Sequence, residues 1–353
     1  MRPFPSAAPV LAALLGALAP APSAAAQEPV SLQWSIDRTP DRGREPGMVD
    51  FSTTYRGPGG GRSMTGRSVP LRELEGLTAA QLASAAGTQV RFRLRRDAGV
   101  FACEGWTRGE RGSGHCDFAP DAAFAAQLAR RDVGRPTAEQ QFSLALHDVG
   151  LDYLDELGRQ RYARPTVDGL VRAGQHGAGL DFLRGMGGMG YRVGTLDALV
   201  RMRDHGVTPR YVRELAEVGI RERSAEELVR LRDHGVSAEF AREMAARGYR
   251  GLEAEELVRL RDHGVSAGFV REMEALGYRG LDADELVRLR DHGVSAGFAR
   301  EMRELGYDRL STAQLVRLRD HGVTPDFVRR ANARAGARRP VEELVRLRDH
   351  GGR

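Results

Sequence analysis

Eight of the nine histidines in this 353-residue chain stand on one spacing: His147, His176, His205, His234, His263, His292, His321 and His350. A column of imidazoles is a natural place to look for metal or proton-relay chemistry. The spacing argues against a shared ion. Two zinc donors must approach within about 4 Å of each other, whereas packed helices lie roughly 8–10 Å apart. A structural role at a helix end is the expectation, with pH sensing as the residual one. The two cysteines, Cys103 and Cys116, are the other reactive pair. Adjacent residues on a strand face opposite ways, so His115 and Cys116 do not converge with Cys103 on a metal. A disulfide is expected. Gly185-Met-Gly-Gly-Met-Gly190 spells a dinucleotide fingerprint but lacks its preceding strand and following helix. No His-Glu-x-x-His and no Gly-x-Ser-x-Gly occurs, and the absence of lysine removes a phosphate loop. No enzyme and no cofactor is expected.

Each step of the histidine column is 29 residues, and the phrase Leu-Val-Arg-Leu-Arg-Asp-His-Gly recurs with it, as at Leu228–Gly235 and Leu257–Gly264. The aromatic column Tyr153, Phe182, Tyr211, Phe240, Phe269, Phe298 and Phe327 keeps the same register. Each unit reads as two short helices. Thr137, Thr166, Thr195, Ser224, Asp282 and Ser311 stand at the first N-cap, with Glu253 and Pro340 as weaker members. His234-Gly235 ends the first helix, and Ser237 caps the second. Thr208-Pro209 and Thr324-Pro325 do the same with proline at the first helical position. The second helix ends at Gly248-Tyr249, where the tyrosine folds back on Met244. Helices of about ten residues are marginal alone, so stacking into an α-solenoid is required. The predicted fold is mainly α with a small β-rich N-terminal domain. Residues 1–26 read as a signal peptide: Arg2, the apolar run Val10–Ala19, then Ala24-Ala25-Ala26. Residues 27–135 read as the β-rich domain. Residues 136–353 read as seven helix pairs and a terminal half unit.

In the β-rich part, Val30–Ile36 and Val90–Leu94 alternate as strands. Val100–Trp106 and Ser113–Phe118 form a hairpin around a Thr107–Gly112 loop that the cysteines can staple, and Gly57–Gly61 is a turn. Short helices are expected near Thr78–Ala85 and Asp121–Arg131.

Two arginine columns sit inside the repeated phrase. Arg230, Arg259, Arg288 and Arg317 fall opposite the apolar face, in solvated i, i+4 pairs such as Glu226–Arg230, and are the candidate partner-binding residues. Arg232, Arg261 and Arg290 fall on the apolar arc, where Ala145 and Gly174 stand in the first two units. A charge there needs a partner. Glu243, Glu272 and Glu301 on the second helix are the expected partners in a half-buried ion-pair ladder.

All 53 basic residues are arginine. Residues 224–310 hold 14 arginines against 18 acids, and residues 311–353 hold 10 against 5. Nucleic-acid binding needs a one-signed basic path, which this alternation does not supply. No segment after the leader is long and apolar enough for stable membrane insertion. A secreted or periplasmic location follows from the leader reading.

The phrase Leu-Val-Arg-Leu-Arg-Asp-His-Gly-Val-Ser/Thr, followed by Phe-x-Arg-Glu-Met and Gly-Tyr, resembles repeats of uncharacterised exported bacterial proteins. Similar repeats stand behind β-lactam-sensor-like membrane zinc metallopeptidases. The stretch from Arg91 to Phe118 leading into Pro136-Thr-Ala-Glu-Gln is similar to what precedes those repeats. The peptidase's membrane helices and zinc motif are absent here, so the resemblance implies a sensing or docking module and no catalysis. The leading expectation is protein binding through the solenoid surface in the cell envelope. The alternatives are binding of an anionic envelope polymer through Arg317, Arg319, Arg329, Arg330, Arg338 and Arg339, or an envelope enzyme with an unfamiliar site around Trp106 and His115.

Overall fold

A computed structural model of the chain describes residues 30–38, 47–56 and 62–351. The leader and the Gly57–Gly61 turn lie outside the described residues. No helix among those described is long and apolar enough to cross a membrane.

The N-terminal part is a seven-stranded antiparallel half-barrel sheet. Its strands are β1 (Val30–Asp37), β2 (Met48–Arg56), β3 (Arg62–Pro70), β4 (Leu74–Glu75), β5 (Thr88–Arg96), β6 (Gly99–Arg108) and β7 (Arg111–Pro120). They lie in the order β3-β2-β1-β7-β6-β5-β4. Period-two alternation sends Leu32, Trp34 and Ile36, then Val90, Phe92 and Leu94, to one buried face. Cys103 and Cys116 stand directly opposite on β6 and β7 and form a disulfide, with Cα atoms 4.1 Å apart. The hairpin between those strands is tighter than the expected loop. Both strands run on to Arg108 and Arg111, leaving Gly109 and Glu110 as a two-residue turn with positive φ at each.

Two short helices flank the sheet strands as expected: α1 (Ala79–Ala83), capped by Thr78, and α2 (Ala122–Arg130), capped by Asp121. From Thr137 onward the chain is a serial array of two-helix units. The first helices are α3 (Ala138–Leu146), α5 (Val167–Gln175), α7 (Leu196–Asp204), α9 (Ala225–Asp233), α11 (Ala254–Asp262), α13 (Ala283–Asp291), α15 (Thr312–Asp320) and α17 (Val341–Asp349). The second helices are α4 (Leu151–Arg159), α6 (Leu180–Gly188), α8 (Pro209–Glu217), α10 (Ala238–Ala246), α12 (Ala267–Ala275), α14 (Ala296–Glu304) and α16 (Pro325–Ala335). Each first helix packs on the first helix of the next unit, and each second helix on the next second helix. Two parallel layers result, the form expected of an α-solenoid.

The local signals act as read. Ser224 accepts from the Glu227 amide while the Glu227 carboxylate accepts from the Ser224 amide, closing a capping box. Ser237 accepts from the Phe240 amide, and the Tyr249 amide returns to the Met244 carbonyl at 3.1 Å. The tyrosine hydroxyl goes further, donating to the Leu281 carbonyl of the next unit at 2.6 Å.

The sheet and the array share one apolar core. Its junction is Phe142 on α3, whose ring lies 5.0 Å from that of Tyr55 and 5.6 Å from each of Phe101 and Phe118, edge to face. The half-barrel therefore covers the apolar end of the solenoid that no preceding unit covers. Phe142→Ala is expected to cost about 3–5 kcal/mol. In urea melts the buried Trp34 fluorescence and the helical circular dichroism should lose stability together. An unchanged helical transition beside a weakened sheet would mean two independent cores.

Candidate functional site

The first-helix layer is where the chemistry-bearing residues recur, and most members of its polar columns are engaged with a neighbouring unit. His176, His205, His234, His263, His292 and His321 end their helices as C-caps, as the sequence suggests. Each ring also contacts the aspartate that precedes the histidine of the following unit. The Nδ1···Oδ1 distances of the six rungs, from His176–Asp204 to His321–Asp349, are 2.5–2.8 Å. An ionised carboxylate only accepts, so Nδ1 carries the proton and donates. Among the described residues no three His, Cys, Asp or Glu side chains are grouped to hold a metal ion.

The inner arginine column corrects the expected ion-pair ladder. Arg232, Arg261 and Arg290 form no ion pair with Glu243, Glu272 or Glu301. Each guanidinium lies instead over the aromatic ring of the preceding unit: Arg232 over Tyr211 at 4.8 Å, Arg261 over Phe240 at 5.0 Å and Arg290 over Phe269 at 5.2 Å. Arg290 Nε also donates to the Gly264 carbonyl at 3.0 Å, and Arg319 Nε to that of Gly293 at 2.9 Å. The side chain leaves the apolar arc but carries its head outward across the groove between units, so burial never demands a counter-charge. Gly206, at φ +71°, shows why the turn residue is glycine twice over. Its backbone is left-handed, and a Cβ would stand 2.9 Å from the Arg232 guanidinium. The glutamates face solvent on the second helices, where Glu272 meets Arg300 at 3.6 Å.

The outer column is also corrected. Its pairs run between units and not along one helix. Arg201 meets Glu226 at 3.0 Å, Arg230 meets Glu255 at 2.8 Å, and Arg172–Asp197 and Arg259–Asp284 repeat the contact. Arg288 and Arg317, which complete the candidate docking column, are exposed and have no carboxylate within ion-pair distance among the described residues.

The ladders have a defined beginning. The position that pairs with His147 is Gln175, so the first imidazole has no carboxylate rung. Gly174 replaces the inner arginine, and a Cβ there would lie 2.8 Å from that of His147. His147 settles into this space beside a cavity of about 780 Å³ between the sheet and the first two units, lined also by Arg67, Arg96, Asp148, Tyr153 and Phe182. Burial, and secondarily the Arg67 charge, push the imidazole down to about 4. Arg67 donates to the Leu146 carbonyl at 3.1 Å, and burial lowers its own pKa. Across the same junction Asp97 accepts from the Leu151 amide at 2.7 Å, capping α4, whose own N-cap residue is Gly150. On the sheet's outer surface, Trp106 is exposed, and His115 Nε2 lies 2.8 Å from Ser31 Oγ and 3.2 Å from Asp117.

No family model matches this chain, and no curated protein sequence is similar to it.

Two measurements follow from this geometry. Arg261→Ala should cost about 0.5–1 kcal/mol in urea melts, the worth of an exposed cation–π contact. A loss of about 3 kcal/mol or more would restore the buried ion pair. The second concerns pH. A histidine whose folded pKa lies below its unfolded value near 6.5 binds fewer protons when folded. Its contribution to stability is whole above pH 6.5 and is lost as pH falls toward 4. His147→Gln should remove roughly 2 kcal/mol of acid sensitivity over that window, less than the full shift because solvent reaches part of the ring. Parallel stability–pH curves for the two proteins would contradict the burial.

Proposed function

We propose that the chain is a non-enzymatic protein-binding module of the cell envelope, with the solenoid as its docking surface. The observation that carries this reading is the inter-unit use of the repeated side chains. Six imidazole–aspartate rungs, four arginine–carboxylate rungs and a row of arginine–aromatic stacks all join one unit to the next. Residue types that serve as acids, bases and ligands elsewhere are here committed to register. The product is a long surface of constant geometry, which suits recognition of an extended partner. The disulfide and the leader-like first 26 residues support residence outside the cytoplasm.

The test is capture of the crosslinked protein from its native envelope, with the crosslinks mapped. The expected result is a stoichiometric protein partner attached through residues 137–351. Recovery of polysaccharide alone, lost at raised ionic strength, would overturn the reading in favour of an anionic polymer. Recovery of no partner would remove the module reading altogether.

A further inference from the structure

The outer ladder obeys a rule over four units, and the next two positions break it. In four successive units an arginine of the first helix meets an acid 25 residues on, at the start of the next first helix: Asp197, Glu226, Glu255 and Asp284. For Arg288 the residue in that place is Ala313. The first turn of α15 has no acidic residue at all. Among the described residues Arg288 consequently projects without an ion pair or a side-chain hydrogen bond, and Arg317, one unit further, also has neither, although an acid, Glu342, stands 25 residues on.

The acids beside Arg288 are already engaged, while Glu342, the residue 25 on from Arg317, stands outside ion-pair distance. Asp291 receives His263 at 2.5 Å and Asp320 receives His292 at 2.6 Å. Arg290 and Arg319 lie over Phe269 and Phe298. Two guanidinium groups are thus left on one stripe of the first-helix layer, separated by the spacing of adjacent packed helices, about 8–10 Å.

We propose that Arg288 and Arg317 form the docking point for an acidic segment of a partner protein, which sets a carboxylate over Ala313 where the ladder lacks its own. The inference rests on the module reading above and gives it a place and a chemistry. Charge complementarity defines the occupant. Elsewhere in the array this arginine position takes a carboxylate borne on a helix, so a helix with two carboxylates one unit apart reproduces the contact. An extended polyanion fits less well. Asp284, Asp291, Asp320 and Glu342 are interspersed with the arginines on the same helices, and a continuous anionic backbone would meet them too. A discrete pair of carboxylates reads the arginines and passes the acids.

The probe is a fluorescent helical peptide carrying two glutamates seven residues apart, roughly 10.5 Å along one face, with its glutamine counterpart as control. Fluorescence anisotropy should show binding by the full chain that weakens as salt rises, and none for the control. Ala313→Glu supplies the missing rung to Arg288 and should weaken binding at least fivefold. It adds an acid to the first turn of a helix, where it suits the dipole, so folding is retained and a thermal melt verifies it. Arg288→Gln should weaken binding equally, and Arg230→Gln should leave it within twofold. Wild-type strength in the Ala313→Glu protein, no binding of the peptide, or tighter binding of polyphosphate at the same arginines would each overturn the proposal. Envelope crosslinks mapping only to the second helices would remove the stripe while leaving the module reading in place.

Discussion

A nine-residue helix cannot hold itself together in water, and this array is built almost wholly from such helices. Every unit therefore depends on the neighbour it leans against. Burial supplies the bulk of that dependence: Leu228, Val229 and Leu231 of one helix, then Phe240, Ala241 and Met244 of the next, are all nearly solvent-free. Burial alone is indifferent to sliding, since apolar faces repeat every turn. The polar columns remove that freedom. A histidine rung, an arginine rung and an arginine–aromatic stack come into register at one relative placement of two units and at no other. Each is worth little alone, of the order of 0.5–1 kcal/mol, but the three act together at the interfaces from α5–α7 to α11–α13.

The same dependence explains the half-barrel. A stack of mutually dependent units leaves its first apolar face uncovered, and Phe142, set among Tyr55, Phe101 and Phe118, marks where the sheet covers it. The junction departs from the repeat wherever the sheet intrudes. Asp97 caps α4 in place of a side chain on Gly150, Arg67 reaches the end of α3, and His147 is half-buried where later histidines bind aspartate. The degenerate first units are shaped by the sheet they meet.

Local signals were legible in the sequence because their physics is local. The 29-residue period, the N-caps, the left-handed glycines and the Met244–Tyr249 closure each depend on residues within a few positions, and all stand where expected. The disulfide was legible too, because an alternating hairpin sets Cys103 across from Cys116. Strands β2 and β3 were not recognised. Their segments are rich in Ser, Thr, Arg and Gly, and their apolar alternation is confined to Val49, Phe51 and Val69. The arginine partners were misassigned for a different reason. A helical wheel shows which residues share a face of one helix, not which helix arrives opposite. Arg230 has Glu226 on its own helix and Glu255 on the next, and only the stacking decides between them. One signal of the true arrangement was present: an aspartate stands before each histidine from His205 onward, and the two units that precede it carry Leu146 and Gln175 there.

The ladder's modest energy is also what lets it be interrupted. Had the arginines been buried, losing one carboxylate would strand a charge at a cost of several kcal/mol, and the array could not tolerate Ala313. Since Arg288 is exposed, the missing rung costs only an exposed pair, about 0.5 kcal/mol, against the full apolar interface of Leu286, Val287 and Leu289 that remains. The register of α15 on the preceding unit is still fixed by His292–Asp320 and by Arg319 over Phe298 on α14. A repeat built on weak, redundant polar contacts can release one of them to face outward without loosening the stack, and in this chain the released group is the exposed guanidinium of Arg288.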